Sequence, residues 1–484
     1  MSYAEIKGFK DHFSYMDSIL RVKADDASLY GETVNVYDED NNLVASGTLN
    51  ALTGHCDIIT DCSGRLKVTA TDGEETATTY VLVSSYATYN VNLSFTWQYG
   101  FEVNPNDSNP ATAVRALEDC DNANYESAYM DFTTGVFHYG DWADAPFMPR
   151  PCMLKYDGTV DYYLDPDDYT KKADGTASDV ANTSFGGNAM MEWDTIYTYH
   201  EPAANGRFIT RVSNKKLGSS WEAWSFHKRN GDIAEHTYMP IYDGSLIDGK
   251  LRSISGQAPE NGHTTAQQRS YAQANGTGWD IDVLADRLLV NSLLTLMSIN
   301  LNGQEAYGKG YITGGSSAAS LRGSGSLNTK GLFWGANDET TSVKVFGMEN
   351  YWGNIWKRCL GLINASGTQK IKMCYGREDG STVDGYNDSG SGYITVGNAT
   401  PGGTNGGYIS AMTMTSFGPF AKTASGSATT YWCDGLWFNN SQTNVALFGG
   451  NCNDGMHCGP FCVYLSAPSG FTYWDFGARP SFKS

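Results

Sequence analysis

Between Gly449 and Phe482 the chain reads GGNCNDGMHCGPFCVYLSAPSGFTYWDFGARPSF, with three cysteines, one histidine and two aspartates among many aromatics. Residues of these types could ligate a transition metal, close a disulfide or supply a catalytic thiol. Their spacing supports none of these. Cys452, Cys458 and Cys462 are six and four residues apart, no CxxC occurs, and His457 stands in no HxH, HExxH or His–Cys ligand pattern. No metal and no cofactor is therefore expected.

Other acidic and glycine-rich stretches read as turns and loops. DEDNN (38–42) resembles half of a calcium loop but lacks the glycine and distal glutamate of an EF-hand. Asp167-Asp168 and Glu378-Asp379 are expected on loops as solvated carboxylates. GSGYITVGNATPGGTNGG (390–407) lacks the GK[ST] of a phosphate loop.

These residues must be positioned by a β-rich chain. Its 484 residues are 13% aromatic and only 18% charged, with 54 glycines and 30 tyrosines, which suits short strands and many turns. The length calls for two or three domains. A net charge of −20 argues against a nucleic-acid partner and against an anionic membrane surface. No membrane insertion is expected, because the most apolar stretch, LADRLLVNSLLTLMSIN, carries Asp286 and Arg287. The opening MSYAEIKGFKDHFSYMDSIL has no apolar signal core, so synthesis into the cytoplasm and reduced cysteines are expected; a Cys56–Cys62 pair across a hairpin is the alternative.

Along the chain, residues 1–20 read as an attachment segment. Alternating apolar and polar residues over 21–95, cut by turn clusters, predict an all-β sandwich of five to seven strands, Ig-like or prealbumin-like. Residues 96–145, rich in Asn, Asp and Pro, read as a connector. Residues 146–484 form an α+β domain with one long helix, Asp280 to Ser298, capped by Asp280 or Thr277.

Two features of the last domain carry a family resemblance. FGMENYWGNIWKR (346–358) sets the turn pair Gly353-Asn354 between Trp352 and Trp356. It resembles the GNxWEW signature of the formylglycine-generating-enzyme branch of the C-type-lectin fold, with Lys357-Arg358 in place of Glu-Trp. The catalytic members need paired copper-binding cysteines, and neither Cys359 nor Cys374 stands in such a pair, so no enzyme is expected.

The second feature is the terminal run. A frame of FGG (448–450), GPF (459–461) and FGARPSF (476–482) encloses Cys452, Asn453, Asp454, His457, Cys458, Cys462, Tyr464, Ser466, Ser469, Gly470, Phe471, Thr472, Tyr473, Asp475 and Phe476. These share no chemistry, but their residue types can be reached from an AAC asparagine codon by changing adenines alone. The pattern resembles the variable region of proteins diversified by retroelements, and looks like the prophage-borne, tail-associated members of that group. The resemblance implies a C-type-lectin-like domain with its variable region over about 448–482. It further implies that those fifteen residues are ligand-binding and displayed on a fixed scaffold, with Trp474 in the core.

The implied protein is a virion tail receptor-binding protein. Its partners would be a bacterial cell-surface protein or glycan, other tail proteins through the N-terminus, and copies of itself, a trimer by analogy. A bacterial surface adhesin of the same fold and a formylglycine-generating-type enzyme are the alternatives.

Overall fold

The computed structural model describes residues 17–84, 87–228, 230–374, 385–398 and 406–483. Most of the expected attachment segment, the Glu378-Asp379 pair and residues 399–405 of the glycine-rich stretch lie outside them. The fold is largely β with few helices. It divides into two compact units, the first running through Tyr99 and including 118–124, the second holding 100–117 and everything from Tyr125.

In the first unit, seven strands form two sheets. His55–Thr60, Ser18–Ala24 and Thr88–Leu93 make one, the last two running parallel. Leu43–Thr48, Thr33–Tyr37, Gly64–Thr71 and Thr76–Val83 make the other. Alternation is the cause. Leu20, Val22, Val34, Val36, Leu66 and Val68 point inward into one apolar core, and the intervening residues face out. Cys56 and Cys62 are free thiols.

The stretch 96–145 is more structured than a connector. It carries the strands Gln98–Val103, Val114–Ala116, Tyr129–Asp131 and Val136–His138. Its Asn- and Asp-rich turns are built from side-chain bonds to nearby backbone, such as Asp131 accepting from the Thr133 N–H at 2.8 Å. A composition signal for loops therefore hid short strands between those turns.

The second unit centres on the helix Leu284–Ser298, in which every residue but Leu288 is buried. It starts four residues later than expected. Val283 takes the cap position without a side-chain bond, because Trp279–Ile281 is drawn into a sheet against the chain's last strand, Pro480–Phe482. Asp280 caps nothing; its carboxylate takes Arg269 Nη2 at 2.9 Å and Gln273 Nε2 at 3.1 Å. The six-stranded sheet runs Val160–Tyr163, Arg150–Lys155, Gly187–Asp194, His236–Pro240, Pro480–Phe482, Trp279–Ile281.

That arrangement threads the chain's end into the core. Arg479 donates to Asp282 from Nε at 3.0 Å and Nη2 at 2.7 Å, and Arg287 reaches the same carboxylate at 3.4 Å. Lys483 pairs with Asp286 and donates to Ser225 O and Thr237 Oγ1, both at 2.6 Å. All these groups are buried, and two of the acids sit at the helix N-terminus, where the helix dipole favours them. The constant look of FGARPSF thus has a structural reason: Phe476, Ala478, Arg479 and Phe482 are core residues.

A second sheet runs Ile394–Asn398, Thr368–Ile371, Trp356–Ala365, Thr443–Phe448, Val463–Ala467, Gly435–Phe438, Gly407–Tyr408, with Phe476–Gly477 alongside Trp356 and Lys357. The terminal run leaves this sheet at Phe448, returns through Val463–Ala467, and crosses to the first sheet at Pro480. Both of its ends are therefore fixed.

Asp282→Ala would leave the Arg287 and Arg479 guanidinium groups buried without their shared carboxylate. A loss of about 3–5 kcal/mol in unfolding free energy is expected by urea titration, and a change below about 1 kcal/mol would show that this cluster does not secure the chain's end.

Candidate functional site

The first arm of the terminal run, 449–462, is held by its main chain. Cys452 N–H donates to Asn354 O at 3.0 Å, and Cys452 O accepts from Gly314 N at 2.6 Å. Gly455 N–H donates to Ile312 O at 3.1 Å. Gln304 Nε2 donates to the carbonyls of Met456 and Cys458, and Asn291 Nδ2 to Pro460 O at 2.8 Å. The buried Asp434 carboxylate accepts from Phe461 N–H at 2.7 Å.

The framing glycines allow close approach. A Cβ on Gly459 would lie 1.9 Å from Asp434 Oδ1, and one on Gly450, at φ +79°, would lie 2.4 Å from Cys458 Sγ. The Gly353-Asn354 turn is the socket for this arm. Both residues have positive φ, and Asn354 bonds Asp243 at 2.8 Å and Arg322 N–H at 2.9 Å through its side chain while receiving Cys452. Trp352 and Trp356 pack as core residues beside it.

The second arm, 463–476, is held in the same way. Ser469 O accepts from Thr265 N at 2.9 Å, Tyr473 O from Gly262 N at 3.1 Å, and Asp475 O from Trp356 N at 2.9 Å. Phe471 O accepts from the Arg358 guanidinium, which also donates to Thr265 Oγ1 at 2.9 Å and His263 O at 3.3 Å. Gln268 Nε2 donates to Phe476 O at 3.1 Å. These holding groups lie outside 449–482, and within the arm Phe471 N–H and Phe476 N–H donate to Pro468 O and Tyr473 O.

On this support the rings form one continuous band. Tyr408 stacks on His457 with centroids 4.0 Å apart; His457 lies 5.2 Å from Trp437; and Trp437 and Tyr464 both pack against Trp356 at 5.5 Å. Tyr464 continues to Phe476 at 5.7 Å, Phe476 to Phe471 at 5.7 Å, Phe471 to Tyr473 at 6.2 Å and Tyr473 to Trp474 at 6.2 Å. Phe471 and Tyr473 are 45% and 51% exposed, and Tyr408, Trp437, His457, Tyr464 and Trp474 are half-buried. Trp356 and Phe476 back the band from inside.

Two carboxyl groups sit beneath it. Asn451 joins them, its backbone N–H donating to Asp454 at 2.9 Å and its side-chain amide to Asp475. Burial pushes the Asp454 carboxyl up to about 7, with the Asp475 charge adding to it and the Asn451 bond opposing it. Burial raises Asp475 to about 6 against its Asn451 bond. Tyr464 is raised by burial and by both acids, so its hydroxyl stays neutral. Burial lowers His457, which is neutral near pH 7.

The sequence-derived set therefore splits. Asn453, Gly470, Phe471, Thr472 and Tyr473 are exposed, and Asp454, His457, Tyr464, Ser466 and Ser469 are partly exposed. Cys452, Cys458, Cys462, Asp475 and Phe476 are buried, which corrects their expected display: their side chains fill the space behind the band. Trp474, expected in the core, is only half-buried. Tyr408 and Trp437 were missed because they lie before the frame, although alternation marks Trp437 as the outward residue between buried Leu436 and Phe438. A separate grouping of Glu192, Asp194 and His236 has metal-ligand types, but Arg150 Nη2 already bridges its two carboxylates at 2.7 and 2.9 Å.

No family model matches the chain, and no curated protein does. Among solved structures, the Major Tropism Determinant P3c Variant is similar over 95% of this chain and 84% of its own, with 10% identity and a TM-score of 0.24. At that score the overlay carries no argument about this chain.

The cysteines give a direct check on the inward assignment. Burial raises the Cys458 and Cys462 thiols well above the ordinary range and Cys452 to about 11. In the native protein at neutral pH all three are expected to resist a thiol-specific reagent and to react once the chain is denatured. Rapid native labelling of all three would put them back on the surface.

Proposed function

We propose that the chain is a phage tail receptor-binding protein whose terminal run displays an exchangeable set of side chains on a lectin-like platform. The observation that carries this reading is the division of labour along 449–476. Residues outside the run hold many of its carbonyls and N–H groups, so most of the loop's path is set without the side chains that project from it, the Asp454 carboxylate on Asn451 N–H being an exception. Those that project make a surface of aromatic anchors beside small polar groups, namely Tyr464, Phe471 and Tyr473 with Asn453, Ser466, Ser469 and Thr472. Such a mixture suits adaptable recognition, with Tyr and Phe supplying area and Ser, Thr and Asn supplying hydrogen bonds. A few aromatic anchors would carry most of the affinity.

The act proposed is binding to a host-surface protein or glycan, with no bond made or broken. Attachment to the virion would run through the N-terminal segment. Presentation of several copies, a trimer in this reading, would raise weak single contacts to a useful avidity.

Joint replacement of Asn453, His457, Tyr464, Ser466, Phe471, Thr472 and Tyr473 by other residues tests this. Attachment to the host cell is expected to disappear while thermal unfolding changes by only about 0.5 kcal/mol for each exposed position. Unchanged attachment would reject the reading. At the genetic level, a second copy of the coding stretch for 449–482 is expected nearby, differing at adenines alone; mismatches spread over all four bases would contradict diversification.

A further inference from the structure

The acid pair Asp454 and Asp475, close to Tyr464 in the aromatic band, has acceptor capacity that its bonds to Asn451 do not use. Asp475 is 6% exposed, and its Oδ1 has no hydrogen-bond partner. Among the described residues neither Asp454 nor Asp475 belongs to an ion pair. The neighbouring cations are turned away, Lys357 donating to Gly353 O at 2.6 Å and Arg358 holding the second arm through Phe471 O and Thr265. Two carboxylates held under rings without a counter-cation are costly unless something positive arrives. The Tyr464 ring lies within electrostatic reach of both acids, Trp437 packs 6.2 Å from it, and ring faces of this kind attract a cation through their quadrupoles.

We propose that this patch seats a protonated side chain, a lysine or arginine of a host surface protein, on the Trp437 and Tyr464 faces with its charge answered by Asp454 and Asp475. The inference rests on the receptor-binding reading of this surface and adds the class of ligand. Two parts of the seat differ in origin. Trp437, like the backing Trp356, lies outside the terminal run, whereas Tyr464, Asp454 and Asp475 lie inside it. The platform would thus contribute a fixed aromatic face that every variant keeps, and the run would set what surrounds it. The overall charge of −20 favours approach of a basic partner.

The pH dependence follows from the groups that face the seat. Burial pushes Asp454 up to about 7 and Asp475 up to about 6 in the free protein; the Tyr464 hydroxyl and the Cys452 and Cys458 thiols, raised by burial, stay neutral there, while burial lowers His457 and brings the nearby Lys357 down to about 8. A bound cation favours the ionised carboxylates, so affinity rises as pH climbs through this window and protons are released on binding. Lysine itself stays protonated throughout.

The test uses the full chain and three probes: N-acetyl-lysine methylamide, its norleucine counterpart, and a neutral oligosaccharide, each followed by tryptophan fluorescence and calorimetry. Lysine is expected to bind saturably and about tenfold more tightly than norleucine, more tightly at pH 8 than at pH 5. Trp437→Ala should abolish the response, and Asp454→Asn should weaken it and flatten its pH dependence, with thermal unfolding confirming that each variant is folded. Equal binding of norleucine, a response to the oligosaccharide alone, or no saturable response to lysine would overturn the proposal. If lysine fails while joint replacement of the exposed residues still abolishes host attachment, the receptor reading stands and only the cationic ligand is wrong.

Discussion

The rest of the second unit depends on one constraint: the main chain of the terminal run must be satisfied, and most of its partners come from groups outside the run. Backbone N–H and C=O groups require partners wherever they are buried. In most loops nearby side chains of the loop itself supply many of those partners. Here Gln304, Asn291, Asp434 and Arg358 supply them from elsewhere, together with the backbones of Gly262, Thr265, Gly314, Asn354 and Trp356. Several of these donors are buried charged or amide groups that a simpler fold would avoid. Their desolvation cost is offset by the hydrogen bonds they make to the run's backbone.

The same constraint explains why the strand Pro480–Phe482 is buried within the second unit. A loop held at one end would fray when an unfavourable side chain was placed on it. Arg479 and Lys483 lock the far end to Asp282 and Asp286 at the start of the buried helix. The Gly353-Asn354 turn locks the near end through Cys452. Tension or disorder in the run therefore stays local, and the band's geometry is set by strands of the sheet.

How much of this could be read from sequence depended on whether the local pattern was periodic. Alternation located the strands of the first unit, since Val34, Val36, Leu66 and Val68 are inward at every second residue. It failed at the helix start, where Trp279–Ile281 continues the helix's apolar pattern but is claimed by pairing with Pro480–Phe482, a contact some two hundred residues away in sequence that no local pattern reports. Within the terminal run, Val463–Ala467 also alternates, Val463, Leu465 and Ala467 inward and Tyr464 and Ser466 outward. The stretch 451–462 has no period at all, and there residue type alone could not separate inward from outward.

That failure is most instructive for the cysteines. Treated as outcomes of a codon draw they needed no shared role, yet they share a place: all three are sealed behind the band. A buried position in a tight loop disfavours charged and large residues alike. Cys452 Sγ meets Gly315 O at 3.6 Å and Cys458 Sγ meets Asn451 O at 3.2 Å, and Asn, Asp or His would bring further polar atoms to satisfy beside those carbonyls. Phe and Tyr would not fit at Cys458, whose sulfur already lies so close to Gly450 that a single added methyl there would clash. Cysteine is the small, weakly polar choice, and free cysteines are among the most buried residues in proteins. The run thus contains two kinds of position. Outward positions carry little packing constraint, inward positions accept only what the core admits, and the cysteines mark where the core decides.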